Sequence, residues 1–413
     1  MGKRMAALAL AVCMALPLFG CGGKLKAQSL TEGITARTID THTDLTDDST
    51  AVMDFAAALL RQTAESEGVL LSPVSVLYAL GMTANGASGD TLTQLEQAMG
   101  MDLTALNDYL YTYRMSLPEN TKKCKLSLSN SLWLRDIFRV DDAFLDTCAN
   151  YYGAEAYRSA FDDSLVTDLN RWVDNKTDGM ISSLLDQPPT DRTMLYLVNA
   201  VCFDAKWREP YEKSDIETGA AFTAADGTRQ TADLLWSKES VYLSDDNTTG
   251  FMKYYDGGRY AFAALLPEEG VSLEDYVAGL TGGKLHALLN EHRYGTVEAA
   301  IPRFTASSSL ELSDALKAMG VTDAFDASRA DLRAMGSAPN DQLYVSAVLH
   351  KTYLSLDENG TKAAAVTAVV NEAGSAEPPQ VYRVVLDRPF VYMIVDTHAN
   401  LPLFLGTVTQ MNG

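Results

Sequence analysis

The sequence lacks the short motifs by which enzymes of the commonest classes are identified. It has no GxSxG nucleophile elbow, no GxGxxG or P-loop for phosphate groups and no HExxH zinc motif. Histidine is scarce, with five in 413 residues, and the closest two, His286 and His292, are six apart and do not share a helix face. A Ser/His/Asp triad assembled from distant residues is the one arrangement that needs no such motif. We therefore predict no catalytic residue, no metal site and no cofactor.

Basic residues are also scarce. The 33 Lys and Arg are outnumbered by 54 Asp and Glu, the formal net charge is −21, and the longest basic run is Lys122-Lys123. Phosphate backbones bind to clustered Lys and Arg, so nucleic acid is excluded as a partner. The excess of negative charge indicates a well-solvated surface. With 47% hydrophobic and 21% charged residues, the chain has ample material for a packed core.

Cysteines are too few and too dispersed for a disulfide framework or a zinc site. The predicted folded part contains three, Cys124, Cys148 and Cys202, which is an odd number without a CxxC spacing. We expect all three to be buried thiols.

The N-terminus has the pattern of a signal peptide, over residues 1–20. Lys3 and Arg4 precede an apolar run that is shorter than the ~20 residues of a membrane-spanning helix. The letters LFGC at its end resemble the lipobox of bacterial lipoproteins. This resemblance implies secretion across the cytoplasmic membrane, a lipid on Cys21 and an outward-facing protein at the cell surface; ordinary cleavage that leaves Cys21 unmodified is the alternative. Residues 21–48 lack periodicity and are predicted to be a flexible tether.

From residue 49 onward, helical periodicity dominates the first half and strand patterns fill the second. Val52 and Phe55 share one face of a predicted helix, and Pro73 begins another helix with Ser72 as its N-cap. Later segments such as MLYLVNAVCF, YAFAALLP and FVYMIVD are the continuous apolar runs of buried strands. This order predicts an α+β fold in a single domain, residues 49–413.

One late segment, DENGTKAAAVTAVVNEAGSAEPPQ at residues 357–380, is small, β-compatible and almost free of bulk. From Thr361, alternate residues form a small uncharged face, and Lys362 falls on the opposite face. We find no turn signal that folds this strip back onto the strand before it, and the next sharp break is Pro378-Pro379. Long structureless loops in compact domains tend to be functional. The segment is therefore predicted to be a loop that can also become a strand.

The stretch ENGTKAAAVT resembles the hinge of the serpin reactive-centre loop. That hinge has an acidic residue, a glycine two places on, a Thr or Ser, a run of alanines and a further Thr. The residues that fill this pattern are Glu358, Gly360, Thr361, Ala363, Ala364, Ala365 and Thr367. The likeness extends from about residue 50 to the end, in the order LLSPVSVLYALGMTANGASGDT, LVNAVCFDAKW, AIPRF, LYVSAVLHK and RPFVYMI with LPLFLGTV.

The resemblance implies a fold and a mechanism. The fold would be a single α+β domain with a large central sheet, further sheets, about nine helices and an exposed reactive-centre loop at about residues 358–382. The mechanism would be suicide-substrate inhibition, in which a protease cleaves the loop, becomes acylated and is trapped when the loop inserts into the central sheet. By the family's usual spacing the cleaved bond would be Gly374-Ser375 when counted from the hinge, or Ser375-Ala376 when the double proline is aligned.

Either bond offers a small residue to the protease. This favours elastase-like or subtilisin-like serine proteases as targets, bound in a covalent complex by a monomeric inhibitor. Papain-like cysteine proteases are an alternative target. A non-inhibitory serpin that acts as a surface binding protein is an alternative function, although such members lose the small-residue hinge that this chain retains.

The resemblance also implies roles for residues that are distant from the loop. Ser72, Asn199 and His350 would meet where the central sheet parts. Trp207 and Lys253 would lie near Glu358 at the top of the sheet. There a Glu358–Lys253 ion pair would latch the point of insertion.

Overall fold

The computed structural model of the chain describes residues 24–41, 43–46, 49–64, 68–190, 193–337, 343–361 and 380–411. Several predicted features lie outside these ranges: the signal peptide over residues 1–20, Cys21, the hinge residues Ala363, Ala364, Ala365 and Thr367, and the bond residues Gly374, Ser375 and Ala376. Each of these stays a prediction.

Nine α-helices occur in the described part of the chain, and six of them come before residue 180. Their bounds are α1 Ser49–Thr63, α2 Pro73–Asn85, α3 Gly89–Met99, α4 Leu103–Ser116, α5 Asp142–Tyr152, α6 Asp163–Lys176, α7 Leu273–Ala278, α8 Gly282–Asn290 and α9 Ser313–Ala318. The predicted concentration of helices in the first half is confirmed. None of the described helices is long and apolar enough to cross a membrane.

Strands occur along the whole described chain and are densest after residue 195. Their bounds are β1 Gln28–Ser29, β2 Val69–Leu71, β3 Cys124–Arg135, β4 Arg139–Val140, β5 Glu155–Ser159, β6 Leu195–Lys206, β7 Ile216–Thr223, β8 Arg229–Asp245, β9 Thr248–Tyr254, β10 Tyr260–Pro267, β11 Arg293–Pro302, β12 Phe304–Glu311, β13 Gly336–Ser337, β14 Ala347–Asp357, β15 Gly360–Thr361, β16 Val381–Val385, β17 Phe390–Asp396 and β18 Leu401–Val408.

The strands form two large sheets and one small one. Sheet A has seven strands in the order β1-β5-β3-β6-β15-β14-β12. Sheet B has the order β16-β11-β8-β9-β10-β17-β18-β2, with β7 beside β8, and β4 pairs with β13. The predicted α+β fold with a large central sheet and further sheets is confirmed.

Helix α2 is buried on all sides, as its continuous apolar sequence requires. It begins at Pro73 as predicted, and every residue from there to Ala84 is buried. Ser72 occupies the N-cap position with extended backbone, but its side chain makes no capping hydrogen bond. The predicted N-cap position of Ser72 is therefore confirmed, although its wholly buried side chain does not take part in capping.

Helix α6 covers one face of sheet A. Its buried Leu165 and Leu169 belong to an apolar cluster with Trp133 of β3, Ala200 of β6 and Ala347 of β14. This layer contacts both β6 and β14. Any widening of the sheet between those two strands must therefore disturb it.

The three cysteines of the domain form no disulfide within the described ranges. Cys148 and Cys202 are buried, as expected, but Cys124 is only partly buried at the start of β3. Burial nonetheless raises the pKa of the Cys124 thiol to about 11. This thiol is thus protonated at neutral pH.

Residues 24–41 depart from the predicted flexible tether, because they bind along the surface of the domain. We call them the N-terminal strap. Strand β1 within the strap pairs antiparallel with β5, with Gln28 opposite Arg158. The Ala27 N–H donates to the buried Asp168 carboxylate of α6 at 2.6 Å. The strap thus joins the edge of sheet A to the helix that covers the sheet.

The edge of sheet A explains why the strap is seated. Without β1, strand β5 would present a row of unpaired backbone groups, and proteins usually cover such edges. The strap also carries Leu25, Leu30 and Ile34, which pack against the core clusters. These contacts are too short and too scattered to give a periodic pattern in the sequence.

We expect Asp168→Ala to release the start of the strap. The substitution leaves the Ala27 N–H without its acceptor, and a buried donor in that state costs about 1–3 kcal/mol. Amide exchange over residues 25–31, followed by mass spectrometry, should therefore accelerate roughly five- to 150-fold. The control is Asp163→Ala, at an exposed position of the same helix. Equal exchange in the two variants would show that β1 pairing alone holds the strap.

Candidate functional site

Strands β6 and β14 are paired at one end and separated at the other. At the paired end, Ala347–Lys351 of β14 run parallel to Tyr196–Ala200 of β6. At the other end β15 lies between them, where Gly360 and Thr361 pair antiparallel with β6 on one side and with β14 on the other. We call this arrangement the fork.

The open part of the fork is four residues long on each strand. In the described structure, residues 201–204 of β6 and 352–355 of β14 are not paired with each other. Residues 201–204 pair with β3 on their other side, and residues 352–355 pair with β12. The facing edges of both segments are therefore available for a strand between them.

The register is the same at both ends of the fork. Ala347 is opposite Tyr196 at the closed end, and Thr361 is opposite both Ala205 and Leu356 at the open end. Ala347 and Tyr196 differ by 151 in residue number, and so do Leu356 and Ala205, which lie on either side of Thr361. A strand that extended β15 toward the closed end would therefore meet both neighbours in register.

A tight turn places β15 in the fork. The Asp357 carboxylate accepts hydrogen bonds from the Asn359 and Gly360 N–H groups at 2.7 and 3.2 Å, which reverses the chain. Gly360 has a φ of +147°, and a Cβ there would lie 2.2 Å from the Ala205 carbonyl oxygen, so only glycine fits. The prediction that no turn folds this segment back is wrong. The missed signal is the Asn-Gly dipeptide, which is typical of hairpin turns.

Aromatic residues contact Thr361 of β15 and the turn that precedes it. Thr361 is buried, and its hydroxyl shares a 2.8 Å hydrogen bond with the Tyr255 hydroxyl. Tyr255 stacks on Trp207, with ring centroids 4.3 Å apart. The indole N–H and backbone N–H of Trp207 donate to the carbonyls of Asp357 and Asn359, each at 3.0 Å. The structure thus places Trp207 against the hinge.

The predicted Glu358–Lys253 pair is wrong. Lys253 is buried, and its Nζ lies 2.9 Å from Glu239 Oε1. Glu358 instead accepts a 2.7 Å hydrogen bond from Arg303, which also pairs with Asp233 at 3.2 Å. Because the Arg303 and Glu358 side chains are 39% and 34% exposed, their pair contributes only about 0–1 kcal/mol.

Strand registers explain this exchange of partners. Phe304, the residue after Arg303, is opposite Leu356 in the β12–β14 pair, so Arg303 reaches the turn that follows β14. Lys253 points into the molecule, where its Nζ lies 4.4 Å from the centre of the Tyr211 ring. The position of Arg303 does not follow from the sequence without the pairing of β12 with β14.

The closed end of the fork contains a buried polar cluster. Asn199 of β6 and His350 of β14 are opposite each other, and the Ser72 N–H donates to His350 Nε2 at 3.0 Å. The Asn199 side-chain amide donates to Asn130 Oδ1 on β3 at 2.7 Å. The structure thus brings Ser72, at the start of α2, together with Asn199 and His350, which lie on the two strands that would separate.

This cluster is incompletely hydrogen-bonded. Because His350 accepts through Nε2, the proton of the neutral ring is on Nδ1, and burial lowers the pKa of His350 to about 4. Within the described residues, His350 Nδ1, Asn199 Oδ1 and Ser72 Oγ are buried without a hydrogen-bond partner. Each such group costs about 1–3 kcal/mol. The closed end is therefore held less firmly than its backbone pairing alone would imply.

The site supports a change of strand pairing and shows no catalytic grouping. His350 is enclosed and its ring bonds a backbone N–H. In the ranges that the structure covers, no three His, Cys, Asp or Glu side chains are grouped as metal ligands. The movable elements are β15 and the two strands on either side of it.

Comparisons with known proteins agree with this arrangement. A family model described as Serpin (serine protease inhibitor) matches residues 50–411. Neuroserpin from Gallus gallus is 28% identical over 365 residues, which are 84% of this chain and 87% of that protein. The structure of the thermophilic serpin tengpin in its native state is 38% identical, with a TM-score of 0.88 over 94% of this chain and all of that chain. The thyroxine-binding globulin complex with thyroxine is 26% identical, with a TM-score of 0.77 over 89% of this chain and all of that chain.

His350 leads to a predicted pH dependence of stability. Its pKa is about 4 in the folded chain and about 6.5 when unfolded, so the stabilising effect of its neutral form is complete above pH 6.5. That stability is lost as the pH falls from about 6.5 to about 4, and the loss amounts to roughly 3 kcal/mol. We expect His350→Gln, which keeps an acceptor for the Ser72 N–H but does not titrate, to lose less stability over this range.

The measurement is urea unfolding at pH 7 and at pH 4.5. Carboxylates titrate alike in both proteins and cancel in the comparison. His286→Gln, on the partly exposed α8, is the control and should behave like the unmodified chain. The same pH dependence in His350→Gln and the unmodified chain would contradict the prediction.

Proposed function

The chain belongs to the serpin family, and we propose from this membership that it inhibits serine proteases as a suicide substrate. The serine Oγ of the protease attacks the carbonyl carbon of the cleaved bond, and the amine leaves with the C-terminal part of the loop. The N-terminal part stays attached as an ester. It then enters sheet A and carries the acylated protease with it, so the chemistry belongs to the protease and the movement to this chain.

The observation that carries this proposal is the fork. Its open end already holds Gly360 and Thr361 as a strand between β6 and β14, antiparallel to both. The common register at the two ends means that β15 can lengthen without any sliding of β6 along β14. A loop that inserts as a central strand needs both features.

The register assigns a place to each inserted residue. Lys362 would come level with Asp204, on the half-buried face of β6, where an opposite charge and solvent are available. Thr367 would come level with Asn199 and His350 on the core face. There its hydroxyl would accept a hydrogen bond from the unpartnered Nδ1–H of His350. Insertion would thus satisfy a group that is unsatisfied in the uninserted form.

The energy balance favours insertion. Extending β15 as far as Val370, level with Tyr196 and Ala347, adds nine residues with backbone bonds on both edges and breaks the five-residue pairing of the closed end. At about 0.5–1.5 kcal/mol net for each hydrogen bond, the gain is on the order of ten kcal/mol. The uninserted form is then a kinetically trapped state.

The target class follows from the loop sequence. Both predicted bonds, Gly374-Ser375 and Ser375-Ala376, offer a small residue, and neither offers Arg, Lys or a large aromatic side chain. This supports elastase-like or subtilisin-like serine proteases as partners in a covalent complex with a monomeric inhibitor. Papain-like cysteine proteases are the alternative, and a protease panel distinguishes the two classes.

A second candidate function is a surface binding protein without inhibitory activity. Thyroxine-binding globulin, one of the similar structures, is recorded in complex with thyroxine, and its fold is that of this chain. The small uncharged face formed by the alternate residues Thr361, Ala363, Ala365 and Thr367 favours inhibition instead, because it suits a strand with one buried face.

We also propose a position close to a membrane. A lipid on Cys21 would leave three residues before the strap begins at Lys24, which is at most about 11 Å of extended chain. The domain would then lie against the bilayer and would not move freely on a tether of 28 residues.

Thr361→Arg should convert the inhibitor into a substrate. Thr361 is a buried residue of β15, and burying an unpaired guanidinium there is costly, so insertion should stop at its first step. The chain is incubated with a panel of serine and cysteine proteases, and the complexes that survive boiling in detergent are scored. Gln380→Arg adds the same charge at the exposed far end of the loop and serves as the control. A full yield of complex with Thr361→Arg would exclude the hinge assignment.

Cleavage within the loop should make the chain more resistant to heat. A gain on the order of ten kcal/mol corresponds to a rise in melting temperature of about 10–15 °C for a domain of this size. Calorimetry before and after cleavage measures the change. Cleaved Thr361→Arg is the matched control and should gain little. If the cleaved unmodified chain melts no higher than the intact one, it is not an inhibitor of this kind.

A further inference from the structure

Strand β8 lacks a strand partner along part of one edge. On this edge it pairs with β7 from Arg229 to Leu235 and with β9 from Val241 to Asp245. Between these pairings, residues 236–239 pair with β11 on the other edge and, in the described structure, have no strand on this one. Residues 209–215, which follow β6, lie there instead, and the Tyr211 hydroxyl is 3.5 Å from the Ser237 hydroxyl.

A cavity of about 650 Å³ opens between this edge of β8 and residues 209–215. We call it the β8 cavity. Its volume is that of a small-molecule site. Pro210 and Tyr211 line it from the segment that follows β6, and the partly buried Trp236 lines it from β8. The β8 cavity therefore offers an aromatic residue on each side to the apolar part of a ligand.

Basic side chains line the sheet side of the β8 cavity. Lys238 of β8 and Arg383 of β16 are both opposite Glu298 of β11, so the three share one face of the sheet. Arg383 pairs with Glu298 at 3.3 Å, and its guanidinium lies 4.7 Å from the centre of the Trp236 ring. Lys238 is exposed and forms no ion pair within the described residues. The sheet side therefore carries one positive charge without a counter-ion.

Acidic side chains line the other side, on the segment that follows β6. Glu209 is exposed, and Asp215 accepts a 2.8 Å hydrogen bond from the Glu212 N–H. Neither carboxylate forms an ion pair in the part of the chain that the structure describes. Lys253 also lines the cavity, but it is buried and paired with Glu239 at 2.9 Å, so these two charges cancel. The β8 cavity thus has a positive side and a negative side.

We propose that the β8 cavity binds a short zwitterionic peptide with an aromatic side chain. The peptide carboxylate would bind Lys238 and Arg383 on the sheet side, and the amine would bind the two carboxylates on the segment side. The aromatic side chain would pack against Tyr211 and Trp236. A simple anion or a simple cation would leave one side of the cavity without an opposite charge, so the zwitterion is favoured over both.

The probe is the dipeptide Ala-Phe with free termini, titrated into the intact chain and followed by calorimetry. We expect a dissociation constant of about 0.1–1 mM. The emission of Trp236 gives a second readout, because Trp133, Trp172 and Trp207 are buried and the dipeptide contains no tryptophan. Binding at the β8 cavity should change this emission, and Trp236→Phe should abolish the change. Binding would not require the loop, so it can be measured whether or not the chain inhibits a protease.

Three analogues of the dipeptide test its chemical groups separately. The N-acetyl derivative of Ala-Phe loses the positive charge, the C-terminal amide loses the negative charge, and Ala-Ala keeps both charges but loses the ring. We expect each analogue to bind about fivefold more weakly than Ala-Phe or worse, because each loses one of the three contacts.

Two variants assign the charges to the two sides of the cavity. Lys238→Gln should weaken binding of Ala-Phe about fivefold and should leave binding of its amide unchanged. Glu209→Gln should likewise weaken binding of Ala-Phe and leave binding of its N-acetyl derivative unchanged. Lys122→Gln is the matched control, because Lys122 is equally an exposed lysine but does not line the cavity. All three replaced side chains are exposed, so folding should be retained, and circular dichroism checks this.

Two outcomes would overturn the peptide site. One is the absence of measurable binding of Ala-Phe to the unmodified chain. The other is binding that Lys238→Gln and Glu209→Gln leave within twofold of the unmodified chain, which would place the dipeptide elsewhere on the molecule. Equal affinity for Ala-Phe and for one of its singly charged derivatives would likewise contradict the zwitterion as the preferred ligand.

Discussion

The two-residue strand β15 is the contact on which the rest of sheet A depends. Neighbouring strands lie about 4.8 Å apart, so β6 and β14 are about one strand spacing apart at the closed end and about two where β15 separates them. Gly360 makes this separation compatible with the turn, because any side chain there would overlap the Ala205 carbonyl. Residues 201–204 and 352–355 do not pair with each other. Along these segments the separation of β6 and β14 changes from about one strand spacing to about two.

Layers outside the sheet share in holding the fork closed. Helix α6 belongs to one apolar cluster with Ala200 and Ala347, which lie on the two strands of the closed end. Asp168 on that helix accepts a hydrogen bond from the strap, and the strap pairs with the far edge of the sheet. The polar cluster around His350 contributes little cohesion, because several of its groups have no partner in the described structure. Resistance to opening therefore comes largely from backbone pairing and from the helix layer.

Local patterns in the sequence predicted the elements but not the contacts between distant ones. Helical spacing and the Ser72-Pro73 pair placed α1 and α2, because these signals lie within one helical turn. Continuous apolar runs identified β6 and β17, since strands in the middle of a sheet are buried on both faces. The Asn359-Gly360 turn was also readable locally and was missed.

Other features depend on registers that no local pattern encodes. The pairing of Glu358 with Arg303 requires β12 to lie beside β14 with Phe304 opposite Leu356. The strap was predicted as a tether because its contacts with β5 and Asp168 are separated from it by more than a hundred residues.

The two ends of the loop belong to different sheets, and under the proposed function this would make cleavage the trigger of insertion. The N-terminal end enters sheet A as β15, whereas the C-terminal end continues as β16, which pairs in parallel with Thr296–Ala300 of β11 in sheet B. An intact loop that inserts as far as Val370 must still return to Gln380 within nine residues, so further insertion would pull β16 from β11 and break the Tyr242–Tyr382 stack. Cleavage removes that connection. Under the proposed function, the bonds that β16 makes in sheet B would therefore oppose insertion of the intact loop and would place no restraint on the cleaved one.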